Sequence, residues 1–182
     1  MTTDTGTLRF PILVLVAVLA GCATGVQRSD DATKREAYFA KGGKLARDVT
    51  ISLNDNARAR IVDNPGFDRD RLLAIVKQGL DAKGWLAKTP DPSLPTIEII
   101  ITDIRVRSGF SAVMFGFLAG NDSITGDVVA RDAAGKELQR FSVSASYALG
   151  GLGGGQDNTR LGWLYESFAT EMIKELGGSE GK

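Results

Sequence analysis

The sequence predicts an α+β domain of two layers, in which a mostly antiparallel sheet of about four strands is covered by two helices. Two stretches with apolar residues at helical spacing predict the helices. Stretches in which polar and apolar residues alternate predict the strands, because successive side chains of a strand point to opposite faces. The expected order of elements is β-α-β-β-β-α.

The 182 residues divide into three predicted parts: a signal peptide at residues 1–21, a tether at 22–47 and a single domain at 48–178. Residues 23–47 are polar with few large apolar groups, so a solvated linker is favoured over a short helix from Asp30 to Lys41. As a flexible coil this linker would hold the domain roughly 25–30 Å from its attachment point.

The domain is predicted to begin with a strand at residues 48–53, where polar and apolar residues alternate. Residues 54–67 contain an Asn-Pro-Gly turn and are predicted to be a connection. The first helix is predicted over residues 68–83, with Asp68 as its N-cap. Gly84 is expected to take the left-handed conformation that ends the helix.

Three further strands are predicted. Residues 96–107 are rich in β-branched side chains, and their apolar residues change parity near Asp103, which predicts a β-bulge. Residues 123–132 lead into a hairpin loop in which Gly135 can adopt positive φ. Residues 141–147 alternate large apolar residues with serines, which predicts a sheet that is polar on one face.

The second helix is predicted over residues 158–176, with one apolar stripe and the Gly177-Gly178 pair at its end. The glycine-rich segment 150–155 precedes it. A phosphate-binding loop would need Gly-Lys-Ser/Thr at this point, whereas Gln156-Asp157-Asn158 follows, so a flexible turn is the favoured interpretation.

Composition excludes several function classes. Lys and Arg number 22, as do Asp and Glu, so no overall charge attracts nucleic acid. The chain has one cysteine and no histidine, which excludes an internal disulfide, the commonest general base and the commonest metal ligand. We therefore predict a non-enzymatic protein without catalytic residues, metal or cofactor.

Carboxylate pairs and hydroxyls do not change this prediction. Asp68 and Asp70 fall in the opening turn of a helix, where acids stabilise the helix dipole. Glu171 and Glu175 lie four residues apart on the second helix, which predicts a solvated face. The serines of residues 141–147 have no histidine in the chain to activate them.

The amino terminus carries the most specific signal. Residues 10–20 form an apolar run of signal-peptide length, shorter than the roughly 20 residues that span a bilayer. The run ends in Leu19-Ala20-Gly21-Cys22, which resembles the lipobox of bacterial lipoproteins. The resemblance implies cleavage between Gly21 and Cys22 and acylation of Cys22. The alternative is a buried free cysteine at the end of an uncleaved anchor.

The two residues after the cysteine bear on location. In Gram-negative lipoproteins an Asp at this position favours the inner membrane, whereas here Ala23 and Thr24 follow. The resemblance therefore implies the periplasmic face of the outer membrane, provided that the host is Gram-negative.

The segment from Gly109 to Gly120 is apolar on both parities, so it does not fit a strand with one solvated face. One interpretation is a hairpin or loop packed against the domain's own core. The other is a docking patch or a membrane-dipping tip. In that second case the contact residues would be Phe110, Met114, Phe115 and Phe117.

Residues 48–177 resemble an uncharacterised family of Gram-negative lipoproteins with a domain of unknown function, and more broadly the YajG-type periplasmic lipoproteins. The shared features are an isoleucine-rich strand, the apolar Gly-bounded segment, a Val-Val-Ala-Arg-Asp strand turning at Gly135, the glycine-rich loop and the final helix. The resemblance implies a fold and a location, but no activity.

The leading functional hypothesis is therefore a membrane-anchored envelope interaction or assembly component with a protein partner. The alternative is a periplasmic module that binds a small ligand or glycan through the polar sheet face or the glycine-rich loop.

Overall fold

In the residues that the computed structural model describes (24–28, 39, 45–64, 66–106, 121–147 and 157–177), five strands form one sheet. They are β1 (Thr24–Arg28), β2 (Asp48–Leu53), β3 (Thr96–Arg105), β4 (Asp122–Arg131) and β5 (Glu137–Tyr147). Their spatial order is β1-β5-β4-β3-β2. Strand β2 pairs with β3 in parallel, and the other neighbours are antiparallel. The α+β fold and its mostly antiparallel sheet are as predicted.

The described helices are α1 (Asp55–Ile61), α2 (Arg69–Ala82) and α3 (Asp157–Leu176). Helix α3 packs on β5, β4 and β1, and α2 packs on α3 and β2. The core lies between these helices and the sheet, where the inward residues of β3 and β5 are buried. None of the described helices is both long enough and apolar enough to cross a membrane.

Helix α2 begins and ends where local chemistry predicts. The Asp68 carboxylate accepts a hydrogen bond from the Arg71 N–H at 2.9 Å and so caps the first turn. Gly84 has a φ of 68°, which directs the chain back, and the Trp85 N–H donates to the Leu80 carbonyl oxygen at 2.9 Å. The predicted cap and stop signal are both confirmed.

The β-strand irregularities are also as predicted. The register of β3 against β4 shifts between Ile101 and Asp103, which confirms the bulge. Gly135 in the β4–β5 turn has a φ of 81°, so this turn does require glycine.

The predicted element count is wrong at two places in the described part of the chain. Strand β1 lies within the segment predicted as a solvated tether, and it forms because the edge of β5 accepts it as a neighbour. Phe39, also in that segment, is buried against the core. Helix α1 lies within the predicted connection 54–67. It buries only Ala57, so it has no apolar stripe, and its start is set by the Asn54 cap.

Candidate functional site

The two ends of the sheet differ in the chain segments that connect to them. We define the loop end by Thr24, Arg105, Asp122 and Tyr147, where β1 and β4 begin and β3 and β5 end. The apolar segment leaves the sheet after β3 and returns to it at β4, and the glycine-rich segment leaves after β5. The opposite end, with Asp48, Thr96, Arg131 and Glu137, is the turn end. Both segments with unusual composition therefore join the fold at the loop end.

We call the two places where the apolar segment joins the sheet its roots: Val106 after β3, and Asp122 at the start of β4. Asn64 fixes the first root. This side chain is buried, its amide nitrogen donates to the Arg60 carbonyl oxygen at 2.6 Å, and its amide oxygen accepts the N–H of Val106. Val106 directly follows β3. An amide is suited to this position because it donates and accepts at once. The contact ties the end of β3 to the segment after α1, 42 residues away in sequence.

The other root is fixed by a buried ion pair. The Arg160 guanidinium nitrogen Nε lies 3.7 Å from the Asp122 oxygen Oδ2, and each side chain is 2% exposed. Asp122 is the first residue of β4, and Arg160 lies in the first turn of α3, just after the glycine-rich segment. Since a buried charge is costly without its partner, this pair fixes the start of β4 relative to the start of α3.

These contacts account for most of the buried polar side chains in the described residues. Three of them, Asn64, Asp122 and Arg160, lie at the loop end; the other two are Gln139 and Glu175. Gln139 donates to the Glu175 carbonyl oxygen at 3.2 Å, far along β5 toward the turn end. Most of the described buried polar side chains thus lie at the loop end, where they connect the ends of strands to the helices and loops next to them.

Exposed apolar side chains also occur at this end. Trp163 is 44% exposed, and its ring centroid lies 5.3 Å from that of Tyr147. Val62, which is 81% exposed, lies two residues before Asn64. The described part of the chain has one more exposed large hydrophobic residue, Leu45, and it lies next to Ala46, before the start of β2 at the turn end.

The sheet face away from the helices is polar, as predicted. The Ser142 hydroxyl donates to the Asp127 carboxylate at 2.5 Å, and the hydroxyl oxygens of Thr125 and Ser144 lie 3.3 Å apart. These side chains are half-buried. The face therefore carries hydroxyl groups and a carboxylate that are hydrogen-bonded to one another, and these are the kinds of group that bind the hydroxyls of a sugar.

A shallow depression of about 480 Å³ lies between the N-termini of α2 and α3 and is lined by residues 66–71 and Asn158. Its charged groups already have partners in the fold. Arg69 pairs with Asp70 at 2.8 Å, and Arg71 donates to the Asn158 carbonyl oxygen at 3.2 Å. The neighbouring Tyr165 hydroxyl accepts the Asp68 N–H at 2.8 Å, and burial raises the pKa of that hydroxyl. We assign no ligand to this depression.

The predicted site residues lie outside the described residues. This holds for the cleavage and lipidation residues Gly21 and Cys22, for Phe110, Met114, Phe115 and Phe117, and for the glycine-rich segment 150–155. What the structure provides instead is the set of side chains at the roots of these segments. No sequence pattern indicated Asn64 or the Asp122–Arg160 pair; their only signal is that Asp122 and Arg160 flank the two unusual segments.

The carboxylate pairs are placed as follows. Asp68 caps α2, which confirms its predicted structural role. Glu171 lies 3.6 Å from Lys174, and its side chain is 23% exposed, so it is half-buried and not on a fully solvated face. The prediction is wrong for Glu175, which is buried because the last turn of α3 packs against Gln139 on β5.

Comparison with known proteins gives one family match. Residues 29–151 match the family model described as a domain of unknown function (DUF4410). A comparison with curated proteins finds no match.

Solved structures give distant likenesses. A PelC dodecamer from Paraburkholderia phytofirmans is 13% identical, with a TM-score of 0.44, over 87% of this chain and 100% of that chain. An uncharacterized protein is 14% identical, with a TM-score of 0.45, over 73% of this chain and 90% of that one. A minor lipoprotein from Acinetobacter baumannii is 12% identical, with a TM-score of 0.39, over 72% and 92%. At these values the likenesses define neither the fold nor the function of this chain.

Proposed function

The chain belongs to the DUF4410 family, and we propose that it is a lipid-anchored envelope protein that contacts another envelope component without catalysing a reaction. The resemblance to a family with a domain of unknown function is confirmed, whereas the likeness to YajG-type lipoproteins stays a prediction.

The lipid anchor is supported by the residues Leu19-Ala20-Gly21-Cys22 after an apolar run. Cleavage before Cys22 would leave this cysteine as the first residue of the mature chain, with a diacylglyceryl thioether on its sulfur and an acyl chain on its amine. Each buried methylene contributes about 0.8 kcal/mol, so several chains hold a protein to a membrane where one does not. With Ala23 and Thr24 after the cysteine, the proposed location is the periplasmic face of the outer membrane of a Gram-negative host.

Replacing the cysteine tests the anchor. We expect Cys22→Ala to remain unprocessed or to leave the outer-membrane fraction, because it has no sulfur to acylate. Fractionation that is unchanged from the wild-type protein would rule out the anchor.

The partner contact is supported by one observation, the buried polar side chains at both roots of the apolar segment. Asn64 holds Val106, and Arg160 holds Asp122. Breaking a buried polar contact of this kind is costly, so each contact holds its part of the chain in one arrangement, and a binding segment needs rigid support. We propose that Phe110, Met114, Phe115 and Phe117 contact the partner.

In-cell crosslinking of the intact protein, followed by identification of the crosslinked protein, tests this contact. We expect the double variant Phe115→Asp/Phe117→Asp to lose the partner on co-purification in mild detergent. Gly153→Ala, in the glycine-rich segment, is the matched control and should retain it. Co-purification that survives the double variant would remove the segment from the interface.

The alternative function is binding of a small ligand or glycan at the polar sheet face, and the Ser142–Asp127 and Thr125–Ser144 contacts favour it. A soluble form that begins at Ala23 would be titrated with envelope oligosaccharides by calorimetry. Binding that is abolished by Asp127→Leu, with the fold retained, would support this alternative over the protein partner.

A further inference from the structure

The start of β1 lies in line with the loop end of the sheet. Thr24 is opposite Ala145 of β5, Ala145 is opposite Ile124 of β4, and Ile124 is opposite Ile104 of β3. These four residues form a row across the sheet, roughly 14 Å wide at the usual strand spacing. Two positions beyond the row stand Tyr147, the last residue of β5, Asp122, the first residue of β4, and Val106, which directly follows β3.

The chain between the proposed lipid and this row is very short. Ala23 alone separates Cys22 from Thr24, and two residues span at most about 7 Å. Residues 22–47 would hold the domain roughly 25–30 Å from the membrane only if they were all a flexible coil. Because residues 24–28 are paired with β5, that distance is not available.

We propose that the loop end of the sheet rests on the bilayer surface, with the strands pointing toward the membrane and the turn end pointing away from it. This orientation rests on the proposed acylation of Cys22. A lipid held within about 7 Å of Thr24 brings the β1 end of the Thr24–Ile104 row to the lipid headgroups, and the exposed apolar side chains at the loop end favour the same contact for the rest of the row.

The surface at the loop end fits a membrane interface. Trp163 is 44% exposed and lies against Tyr147, the last residue of β5. Tryptophan is enriched at membrane–water interfaces because its ring is apolar and its N–H is polar. The exposed Val62 adds an apolar side chain near Val106 at the same end. A bilayer would remove both from water.

The second tryptophan marks the opposite end. The half-buried Trp85 stacks on Phe39 at 4.8 Å and lies against Gly177, just past the C-terminus of α3. Trp163 lies fourteen residues earlier on the same helix, which corresponds to about 21 Å along its axis. The chain has two tryptophans in all, so each end of the domain carries one intrinsic fluorophore.

Fluorescence quenching by lipid tests the orientation. The full-length protein, processed in cells, is reconstituted into vesicles of phosphatidylethanolamine and phosphatidylglycerol that contain phosphatidylcholine with brominated acyl chains. Trp85→Phe leaves Trp163 as the fluorophore, and Trp163→Phe leaves Trp85. We expect severalfold stronger quenching of Trp163 than of Trp85. Equal quenching, or stronger quenching of Trp85, would overturn the orientation.

The mass of each protein, measured before reconstitution, separates this proposal from the one on which it rests. If the protein carries its acyl groups and binds vesicles but its two tryptophans are quenched alike, the orientation is wrong and the anchor stands. If the protein carries no acyl group, both fail.

A longer link tests the role of Ala23. Inserting about ten Gly and Ser residues between Ala23 and Thr24 would add a flexible span of roughly 17 Å. We expect the insertion to preserve acylation and to reduce the quenching of Trp163 toward that of Trp85. An unchanged difference between the two tryptophans would show that the short link does not set the orientation.

Discussion

The loop end and the turn end of the sheet are closed by different interactions. At the turn end, the Asp132 carboxylate accepts the N–H groups of Ala134 and Lys136 at 2.9 Å each, and Trp85 is stacked on Phe39. At the loop end, the contacts are the Asn64–Val106 hydrogen bond and the Asp122–Arg160 ion pair.

The difference lies in the chemistry of the contacts. At the turn end the Asp132 contacts are local, joining residues two and four apart, and the distant residues Phe39 and Trp85 meet through an apolar stack. At the loop end, by contrast, distant residues meet through polar groups, such as the Asn64 amide and the Val106 N–H, 42 residues apart. A turn and an aromatic stack need only close the domain. The loop end must also fix the residues from which two long segments leave the sheet, and it does so with polar groups that fit one geometry.

The largest expected effect comes from breaking the ion pair. Arg160→Met leaves the Asp122 carboxylate buried without its guanidinium partner, so we expect the free energy of unfolding to fall by about 3–5 kcal/mol. Urea unfolding measures the change. Arg58→Met, which breaks the exposed helical pair with Asp55, is the matched control and should have almost no effect. Similar losses in both variants would contradict the role assigned to the buried pair.

A double replacement sharpens this prediction. In Asp122→Leu/Arg160→Met both charges are gone, and apolar groups fill the site. We expect most of the lost stability to return, because the cost of the single variant comes from burying the Asp122 carboxylate without the opposite charge of Arg160. A double variant as unstable as Arg160→Met would show that the loss does not come from the carboxylate that the single variant leaves behind.

The next largest loss of stability is expected at Asn64, which fixes the root of the apolar segment at Val106. Asn64→Leu leaves the Val106 N–H and the Arg60 carbonyl oxygen without their amide partner, so we expect a loss of about 1–3 kcal/mol. Hydrogen exchange should speed up at Val106 more than at the centre of β4. Asn56→Ala removes an exposed amide that donates to the Thr102 carbonyl oxygen at 2.8 Å, and it should cost less. Equal losses from both would contradict a special role for Asn64.

At the turn end, Gly177→Ala tests the aromatic stack. The added Cβ would lie 2.6 Å from a ring atom of Trp85, so the ring must shift and its stack on Phe39 must change. We expect a loss of about 1–3 kcal/mol and a change in Trp85 fluorescence. Gly25→Ala, where an added Cβ meets nothing within 4 Å, is the control. A Gly177→Ala protein with unchanged fluorescence would show that the stack tolerates the methyl group.

The smallest effect is pH-dependent. The hydrogen bond from Lys77, at 2.8 Å, lowers the pKa of the Asp48 carboxyl against the opposing effect of burial. The pair therefore stabilises the fold above the ordinary carboxyl pKa of 3.8, and this contribution is lost as the pH falls through the lower folded-state value. Because both side chains are partly exposed, we expect Asp48→Asn to cost only a few tenths of a kcal/mol at neutral pH. A difference from wild type that persists in strong acid would contradict this origin.

Elements with local signals could be predicted from the sequence. Helix α2 has its cap at Asp68 and its stop at Gly84, and both signals lie within the helix or next to it. The bulge near Asp103 and the turn at Gly135 are likewise encoded in a few consecutive residues.

Elements that depend on distant partners could not be predicted. Strand β1 has Val26 as its one large apolar residue, and it is a strand because β5 offers an open edge. Asn64 and Arg160 look like ordinary surface residues in the sequence. Their burial follows from contacts with Val106 and Asp122, which only the folded chain brings to them.

The proposed anchor at Cys22 would determine both the location of the protein and the orientation of its loop end. Intact mass spectrometry of the mature protein, extracted from membranes, tests it most directly. We expect a chain that begins at Cys22 and carries the added mass of a diacylglyceryl group and an amide-linked acyl chain. A chain that retains residues 1–21, or one whose Cys22 thiol is free, would contradict the anchor.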